Sequence, residues 1–277
     1  MNLVATYITG LKAARGRSYL NLTMFPLLAG VEEKPDYLTV KEALERKFLR
    51  IVPTFEDVDE PVVSLVNDSR RPILIVESEQ LLGSEPGMLA AASFLAPPKA
   101  AMTIPTGVLV EISQEGEADR SRTWELPGEK PDLFGSPVVR VEDFIRRFRP
   151  VECQVGAVFA IDGEIQGLEA FDRPETWIEH FPRLVERYAR VAMSRGNSKE
   201  GKVSPAEVQR FLAAVGKCDM ESRPGFGMGI RLRIKGNRLA GSALSEGTRI
   251  LHISMDGQES QYQDGPESDD TKGNPGE

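Results

Sequence analysis

Cysteine, histidine and tryptophan are each present only twice in 277 residues, and each scarcity removes a class of explanation. Cys153 and Cys218 allow one bridge at most, so no disulfide framework exists and a reducing compartment is expected. The two cysteines stand far from His180 and His252 and give no zinc-finger spacing, so the expected metal is none. Long apolar runs are missing too: no stretch approaches the ~18 residues of a membrane span. Met1 to Gly10 shows no cationic segment followed by an apolar one, so no signal peptide is expected and the expected setting is cytoplasmic. Neither a Gly-x-Ser-x-Gly elbow nor a Cys/His signature points to nucleophilic catalysis. An excess of basic residues is also absent. Lys and Arg total 34 against 42 Asp and Glu, which argues against bulk nucleic-acid binding.

What is present begins with an uneven charge. From Asp256 to Glu277 there are seven acidic residues and one lysine, so most of the net −8 sits in the last stretch. The body before it is nearly neutral. Its apolar content supports a packed core, since 40% of all residues are hydrophobic. The expectation is one domain over residues 1–255 and a disordered Gly/Pro/Ser/Asp-rich acidic tail over 256–277.

The first half reads mainly as strands. Tyr19 to Phe25 and Val62 to Asn67 alternate in period two, and Ile73-Leu-Ile-Val76 is the continuous apolar run of a strand covered on both faces. Thr39 with Glu42 has capping-box spacing, opening a short helix that buries Val40, Ala43 and Leu44. Ala90–Leu95 and Met102–Ile112 read as two strands around Pro97-Pro98-Lys99. Residues 113–137 read as a long loop with a strand near Trp124.

In the second half Gln154–Ile161, Asp162-Gly163 and Glu164–Phe171 spell a hairpin, because Asp-Gly supplies the positive φ of a type I′ turn. Asp172 is placed to cap the next helix, with Pro174 in its first turn and Trp177, Phe181, Leu184, Tyr188 and Val191 as its apolar stripe. Pro182 inside that stripe predicts a kink or two helices. Ser204-Pro205-Ala206-Glu207 opens another helix that ends at Gly216, and residues 226–255 form a three-stranded meander. Strands without regular helical crossovers, with two helices late in the chain, predict an α+β fold: mostly antiparallel sheet, a few helices, one compact domain.

Several of these blocks resemble one bacterial and archaeal family. Glu77-Ser-Glu-Gln-Leu-Leu-Gly83, Gln154-Val-Gly-Ala157, Gly167-Leu-Glu-Ala-Phe-Asp-Arg-Pro-Glu-Thr176, Gly241-Ser-Ala-Leu244 and Ile250-Leu-His-Ile253 stand in the order of the ARPP domain. That name means "ARG and rhodanese-phosphatase-superfamily-associated", ARG being ADP-ribosylglycohydrolase. The resemblance covers roughly Tyr19 to Met255 and implies a link to ADP-ribose or NAD metabolism. It implies a nucleotide-like small molecule as partner and names no cofactor and no oligomeric state. The chain departs from the family pattern at Ser84-Glu-Pro-Gly-Met88, where a polar stretch is expected, and after Ile104-Pro105, where a cysteine is expected.

The candidate catalytic residues are Glu77 and Glu79. Two apart on an extended backbone, their carboxylates would share one face roughly 7 Å apart, suited to a shared cation or to an acid and a base. The plainer reading is two solvated carboxylates at a strand end. Glu85 joins them if the chain turns back at Gly83. Gln154, Gly156 and His252 are the candidate cofactor-binding residues, although strand alternation by itself makes His252 a polar-face residue. Glu169 and His180 read as surface residues. Gly225-Phe-Gly-Met-Gly229 lacks the spacing of a phosphate loop and reads as glycine-permitted bulges. Arg140, Arg146, Arg147 and Arg149 cluster around a helix from Val141 to Phe148, either as a solvated face or as an anion-binding patch. Two readings therefore stand at the level of sequence: a domain that binds or processes an ADP-ribose- or NAD-like nucleotide, and a non-catalytic interaction module.

Overall fold

A computed structural model describes residues 2–30, 36–54, 62–79, 88–90, 92–104, 109–111, 139–196, 202–224 and 226–257. The chain opens with helix α1 (Leu3–Gly10), which the sequence reading omits and which Asn2 caps by accepting from Ala5 N–H. Strands β1 (Lys12–Ala13), β2 (Arg17–Tyr19) and β3 (Leu22–Leu28) follow. The alternating stretch from Tyr19 to Phe25 is therefore split by a tight turn in which Leu20 takes φ 52°. Next come β4 (Leu38–Thr39), α2 (Val40–Glu45), β5 (Leu49–Thr54), β6 (Val62–Asn67), β7 (Ile73–Ile75), β8 (Met88–Ala90), β9 (Phe94–Ala96), β10 (Ala100–Ile104) and β11 (Leu109–Glu111). Then α3 (Val141–Arg147), β12 (Gln154–Ile161), β13 (Glu164–Phe171), α4 (Pro174–Arg195) and α5 (Pro205–Val215) lead to β14 (Asp219–Pro224), β15 (Ile230–Gly236), β16 (Leu239–Glu246) and β17 (Arg249–Asp256).

The fold is α+β and mostly antiparallel. Among the described residues one nine-stranded sheet runs β1-β3-β12-β13-β17-β16-β15-β14, with β2 paired to β3. Local chemistry sets its hairpins: Asp162 and Gly163 take φ 53° and 79°, as the Asp-Gly turn requires. Both faces of this sheet are covered. Val158, Leu168, Ala170, Ile253 and Met255 pack against Val4 and Ile8 of α1 and Val208, Leu212 and Val215 of α5. Ala157, Phe159, Ile161 and Phe171 point the other way, against Phe144 of α3 and Trp177, Phe181, Leu184 and Tyr188 of α4. Burying each of the larger apolar side chains is worth about 1.5–3 kcal/mol, so both helical layers contribute strongly to the driving force.

The middle of the chain forms smaller sheets with a core of their own, built from Leu38, Leu65, Ile73, Ile75, Phe94 and Ile104 among others. Strand β7 joins the two bodies. Ile73 and Ile75 face this smaller core while Leu74 and Val76 face the α4 core, so the apolar run is covered on both sides. The turn at Pro98-Lys99 does not close a hairpin, because β9 pairs with β7 and β10 with β6.

Three helix details refine the expectation. Helix α4 is one helix of 22 residues with Pro182 inside it, so of the two expected alternatives the pair of consecutive helices is excluded. Pro182 and Ile178, four residues earlier, are both exposed, so the carbonyl that loses its partner faces water. Its stripe ends at Ala192, while Val191 is 39% exposed. In α2 the capping box of Thr39 and Glu42 forms, but Leu44 points outward at 46% exposure. No helix among the described residues is long and apolar enough to cross a membrane. The acidic tail, apart from Asp256 and Gly257, and the strand near Trp124 lie outside the described residues, as does Glu85.

Candidate functional site

Where the smaller body meets the large sheet, polar residues replace the apolar core. The β13–β17–β16 registers place Glu169 beside Ser254 and Ser254 beside Ser242, and they place Phe171 beside His252. These side chains share the α4 face. From the opposite side come Glu77, Ser78 and Glu79, which follow β7, and Ser93, which precedes β9.

The segment from Val76 to Glu79 is a turn rather than an extended strand. Ser78 takes φ 61°, a left-handed conformation that a non-glycine residue adopts only where its surroundings impose it. Glu79 N–H donates to the Val76 carbonyl (2.9 Å), and the Glu79 carboxylate accepts from Val76 N–H (2.9 Å). The expected pairing of the two carboxylates on one face of a strand is thus corrected. The turn sends Glu77 toward His252 and Glu79 toward α4.

On the Glu77 side a chain of hydrogen bonds crosses the interface. Glu77 N–H donates to Ser93 Oγ (2.9 Å), and Ser93 Oγ lies 2.8 Å from His252 Nδ1. His252 Nε2 lies 3.3 Å from Glu169 Oε2. Ser254 donates to Glu169 Oε1 (2.8 Å), and Arg187 of α4 forms an ion pair with the same oxygen. Burial would raise the Glu169 pKa, but Arg187, His252 and Ser254 outweigh it and hold the carboxyl down at about 2. Glu169 is therefore an acceptor only, so His252 Nε2 carries a proton toward it, and His252 Nδ1 shares a hydrogen bond with the Ser93 hydroxyl. Burial raises the Glu77 carboxyl, with His252, Arg187 and Arg231 acting against that rise. Ser242 donates to Glu77 Oε2 (3.3 Å). Glu77, Ser242, Ser254 and Arg231 are partly exposed and Arg187 is 41% exposed, so this face is the accessible side of a network whose centre, His252 and Glu169, is buried.

The Glu79 side lies against the first half of α4. Burial lifts the Glu79 carboxyl to about 7, while burial, followed by Arg183 and His252, pushes His180 down to about 3. Glu169 and His180 are both buried, which overturns their reading as surface residues. Alternation along β13 does place Glu169 on the face opposite Leu168, but α4 covers that face. Phe171 stacks on both His180 and His252, with centroids 5.2 and 4.7 Å away.

Asp172 does not cap α4. The N-cap position is Arg173, and Asp172 instead accepts from Tyr37 O–H (2.5 Å). Gln154 and Gly156 lie on β12, and both ends of the Gln154 amide are spent locally: Oε1 accepts from Val151 N–H (3.0 Å) and Nε2 donates to the Gly156 carbonyl (2.9 Å). Gly156 is a close-packing position, where an added Cβ would lie 2.4 Å from the Glu169 carbonyl oxygen. Of the five nominated residues, the structure gathers Glu77, Glu79 and His252 at one interface and leaves Gln154 and Gly156 in a packed strand. Reading the sequence missed Ser93, Arg183 and Arg187. The arginines carry one signal, their spacing of four along α4 on the same side as His180, but charges on a helix read first as a solvated face.

The arginines around α3 make ordinary surface contacts. Arg146 pairs with Asp143, and Arg147 lies over the Tyr19 ring at 5.4 Å. A separate cleft lies at the tip of the β12–β13 hairpin, lined by Gly163, Glu164, Ile165, Val203, Glu207 and Arg238 among others, and contains none of the nominated residues.

The model of the family described as ARG and Rhodanese-Phosphatase-superfamily-associated Protein domain matches residues 10–107 and 131–255. No curated protein and no solved structure matches the chain.

Proposed function

The chain belongs to the ARG and Rhodanese-Phosphatase-superfamily-associated Protein domain family, and from that membership we propose that it binds and processes an ADP-ribose- or NAD-like nucleotide at the Glu77 face. The observation that carries this reading is the company Glu77 keeps. A half-buried carboxyl lies in the electrostatic reach of His252, Arg187 and Arg231 on a partly exposed surface. Guanidinium groups match the oxygens of a diphosphate, and a carboxyl backed by a histidine can give or take a proton at a sugar hydroxyl or glycosidic oxygen. In this assignment Arg187 and Arg231 hold phosphate, Glu77 is the acid or base, and His252 positions it through the relay to Glu169. A cytoplasmic setting suits such a ligand and suits the free thiols of Cys153 and Cys218.

The test is a thermal-shift and calorimetric screen of the full chain against ADP-ribose, NAD and plain nucleotides. A ligand at 100 times its Kd should add about 2.7 kcal/mol of stability, and Arg231→Ala should abolish the shift while leaving the ligand-free Tm close to wild type.

One observation favours the second reading, a non-catalytic interaction module. Ser93, His252, Glu169 and Arg187 all find partners within the protein, so the relay also serves to lock the smaller body onto the large sheet. A wild-type protein silent across the whole panel would sink the nucleotide reading and leave that one.

A further inference from the structure

A second group of side chains lies apart from the Glu77 face. One carboxylate oxygen each from Glu79 and Glu179 and one ring nitrogen of His180 all lie within 4.8 Å of one another. Glu79 is 8% exposed and His180 4%. The Glu79 carboxylate accepts from Val76 N–H, and Glu179 Oε2 accepts from the Thr39 hydroxyl (2.7 Å). His180 Nε2 is buried with no hydrogen-bond partner.

Each of these facts is unfavourable alone. Two carboxylates this close repel one another out of water. A buried imidazole nitrogen with no partner has given up its hydrogen bonds to water without replacement. Arg183, the nearby cation, does not resolve the conflict. No ion pair joins it to Glu79 among the described residues. Its Nη2 lies 3.3 Å from His180 Nδ1, and its Nη1 has no partner.

We propose that Glu79, Glu179 and His180 form a site for a divalent transition-metal ion, zinc or manganese. The three ligand atoms lie within 4.8 Å of one another, so a side-chain movement of about an ångström brings them to the ~3.5 Å separations of a tetrahedral ion bonded at about 2.0–2.2 Å to each. One imidazole and two carboxylates suit a first-row transition ion better than magnesium or calcium, which take oxygen donors. Three protein ligands leave a coordination position open for water or another ligand.

Binding moves one proton within His180. A guanidinium can only donate, so in the empty site Nδ1 accepts from Arg183 and the ring proton is on Nε2. When the ion takes the Nε2 lone pair, that proton must pass to Nδ1, and Arg183 must release it. One 3.3 Å hydrogen bond is all that holds Arg183 there. Arg183 is therefore a brake on the site and not part of it.

The experiment is titration of the EDTA-treated, dialysed full chain with zinc or manganese alone, followed by calorimetry and by metal analysis after gel filtration. Wild type should retain one ion per chain. Glu79→Gln and His180→Gln should each weaken binding by at least about tenfold, the loss already typical of a group one shell further out. Arg183→Met should tighten it. That gain cannot arise from a misfolded variant, so it separates the site from a general loss of structure. The proposal is overturned by a wild type that retains no stoichiometric ion, by Gln variants that bind like wild type, or by an Arg183→Met variant with no gain. Gln variants that bind like wild type would mark the metal as adventitious. None of these outcomes depends on nucleotide binding at Glu77.

Discussion

His252 Nε2 lies 3.3 Å from Glu169 Oε2 across the β13–β17 pair, both side chains 2% exposed, and this contact ties the large sheet to the smaller body through Ser93. The pair has no meaning in the sequence, where 83 residues separate its members. In the fold it places a proton on Nε2, aims Nδ1 at Ser93, and sets Glu77 at the accessible edge.

Ser93→Ala tests that tie. The change removes the hydroxyl that bridges Glu77 N–H and His252 Nδ1, leaving both without that partner. A loss of about 1–3 kcal/mol in urea-monitored unfolding is expected, from the unpaired groups rather than from the hydroxyl itself. A change below about 0.5 kcal/mol would mean the bonds are not formed in solution.

Arg187→Met addresses the counter-charge. It removes the guanidinium from the buried Glu169 carboxylate and leaves its bonds to His252 and Ser254 in place. Breaking a buried pair typically costs 3–5 kcal/mol, and because Arg187 is 41% exposed the expected cost is at the low end, about 3 kcal/mol. Adding Glu169→Gln should recover part of that loss. Strictly additive effects in the double-mutant cycle would show that the pair is not coupled.

Gly156→Ala separates a packing glycine from a ligand-binding one. The new methyl group would meet the Glu169 carbonyl oxygen at 2.4 Å and the Ala170 Cβ at 2.5 Å, contacts that the β12–β13 pair must open to relieve. A loss of about 1–3 kcal/mol is expected, with no change in the affinity of any ligand bound at the Glu77 face. A variant with wild-type stability and weakened ligand binding would restore the glycine to the site.

Asp172 gives a pH signature. Burial first, with Tyr37, Arg173 and Arg249 acting against it, raises its pKa from 3.8 to about 6. The folded protein thus holds a proton that the unfolded chain releases. This contribution is complete below about pH 3.8 and is lost as pH rises through 6. A shift of this size corresponds to about 3 kcal/mol at most. Asp172→Asn keeps an acceptor for the Tyr37 hydroxyl and cannot ionise. The stability of wild type minus that of the variant, measured in EDTA, should therefore fall between pH 4 and pH 6.5. A flat difference would refute the shifted pKa.

Much of the fold is legible along the chain because its signals are local. Thr39 with Glu42 and Ser204 with Glu207 form both expected capping boxes, since the partners are three residues apart on one turn. Asp162-Gly163 turns the hairpin, and the meander of β15, β16 and β17 follows from alternation and turn residues. The α4 stripe is correct except at its end. The candidate site was legible only in part. Glu77, Glu79 and His252 could be nominated from family blocks, but the turn at Ser78 that parts the two carboxylates could not, because no glycine marks its positive φ.

The sequence by itself determined an α+β class and the elements with strong local signals, α2, the β12–β13 hairpin, α4, α5 and the closing meander, because capping, periodicity and turn conformations depend on residues a few positions apart; α1 and β14 were not among them. Tertiary structure alone decided which polar residues are buried. Glu169, His180 and His252 stand in strands and helices whose polar faces ordinarily meet water; here α4 and the smaller body close over them. Once desolvated, Glu169 and His252 find partners contributed by distant segments, Arg187 of α4 and Ser93 before β9, whereas His180 Nε2 is left without one.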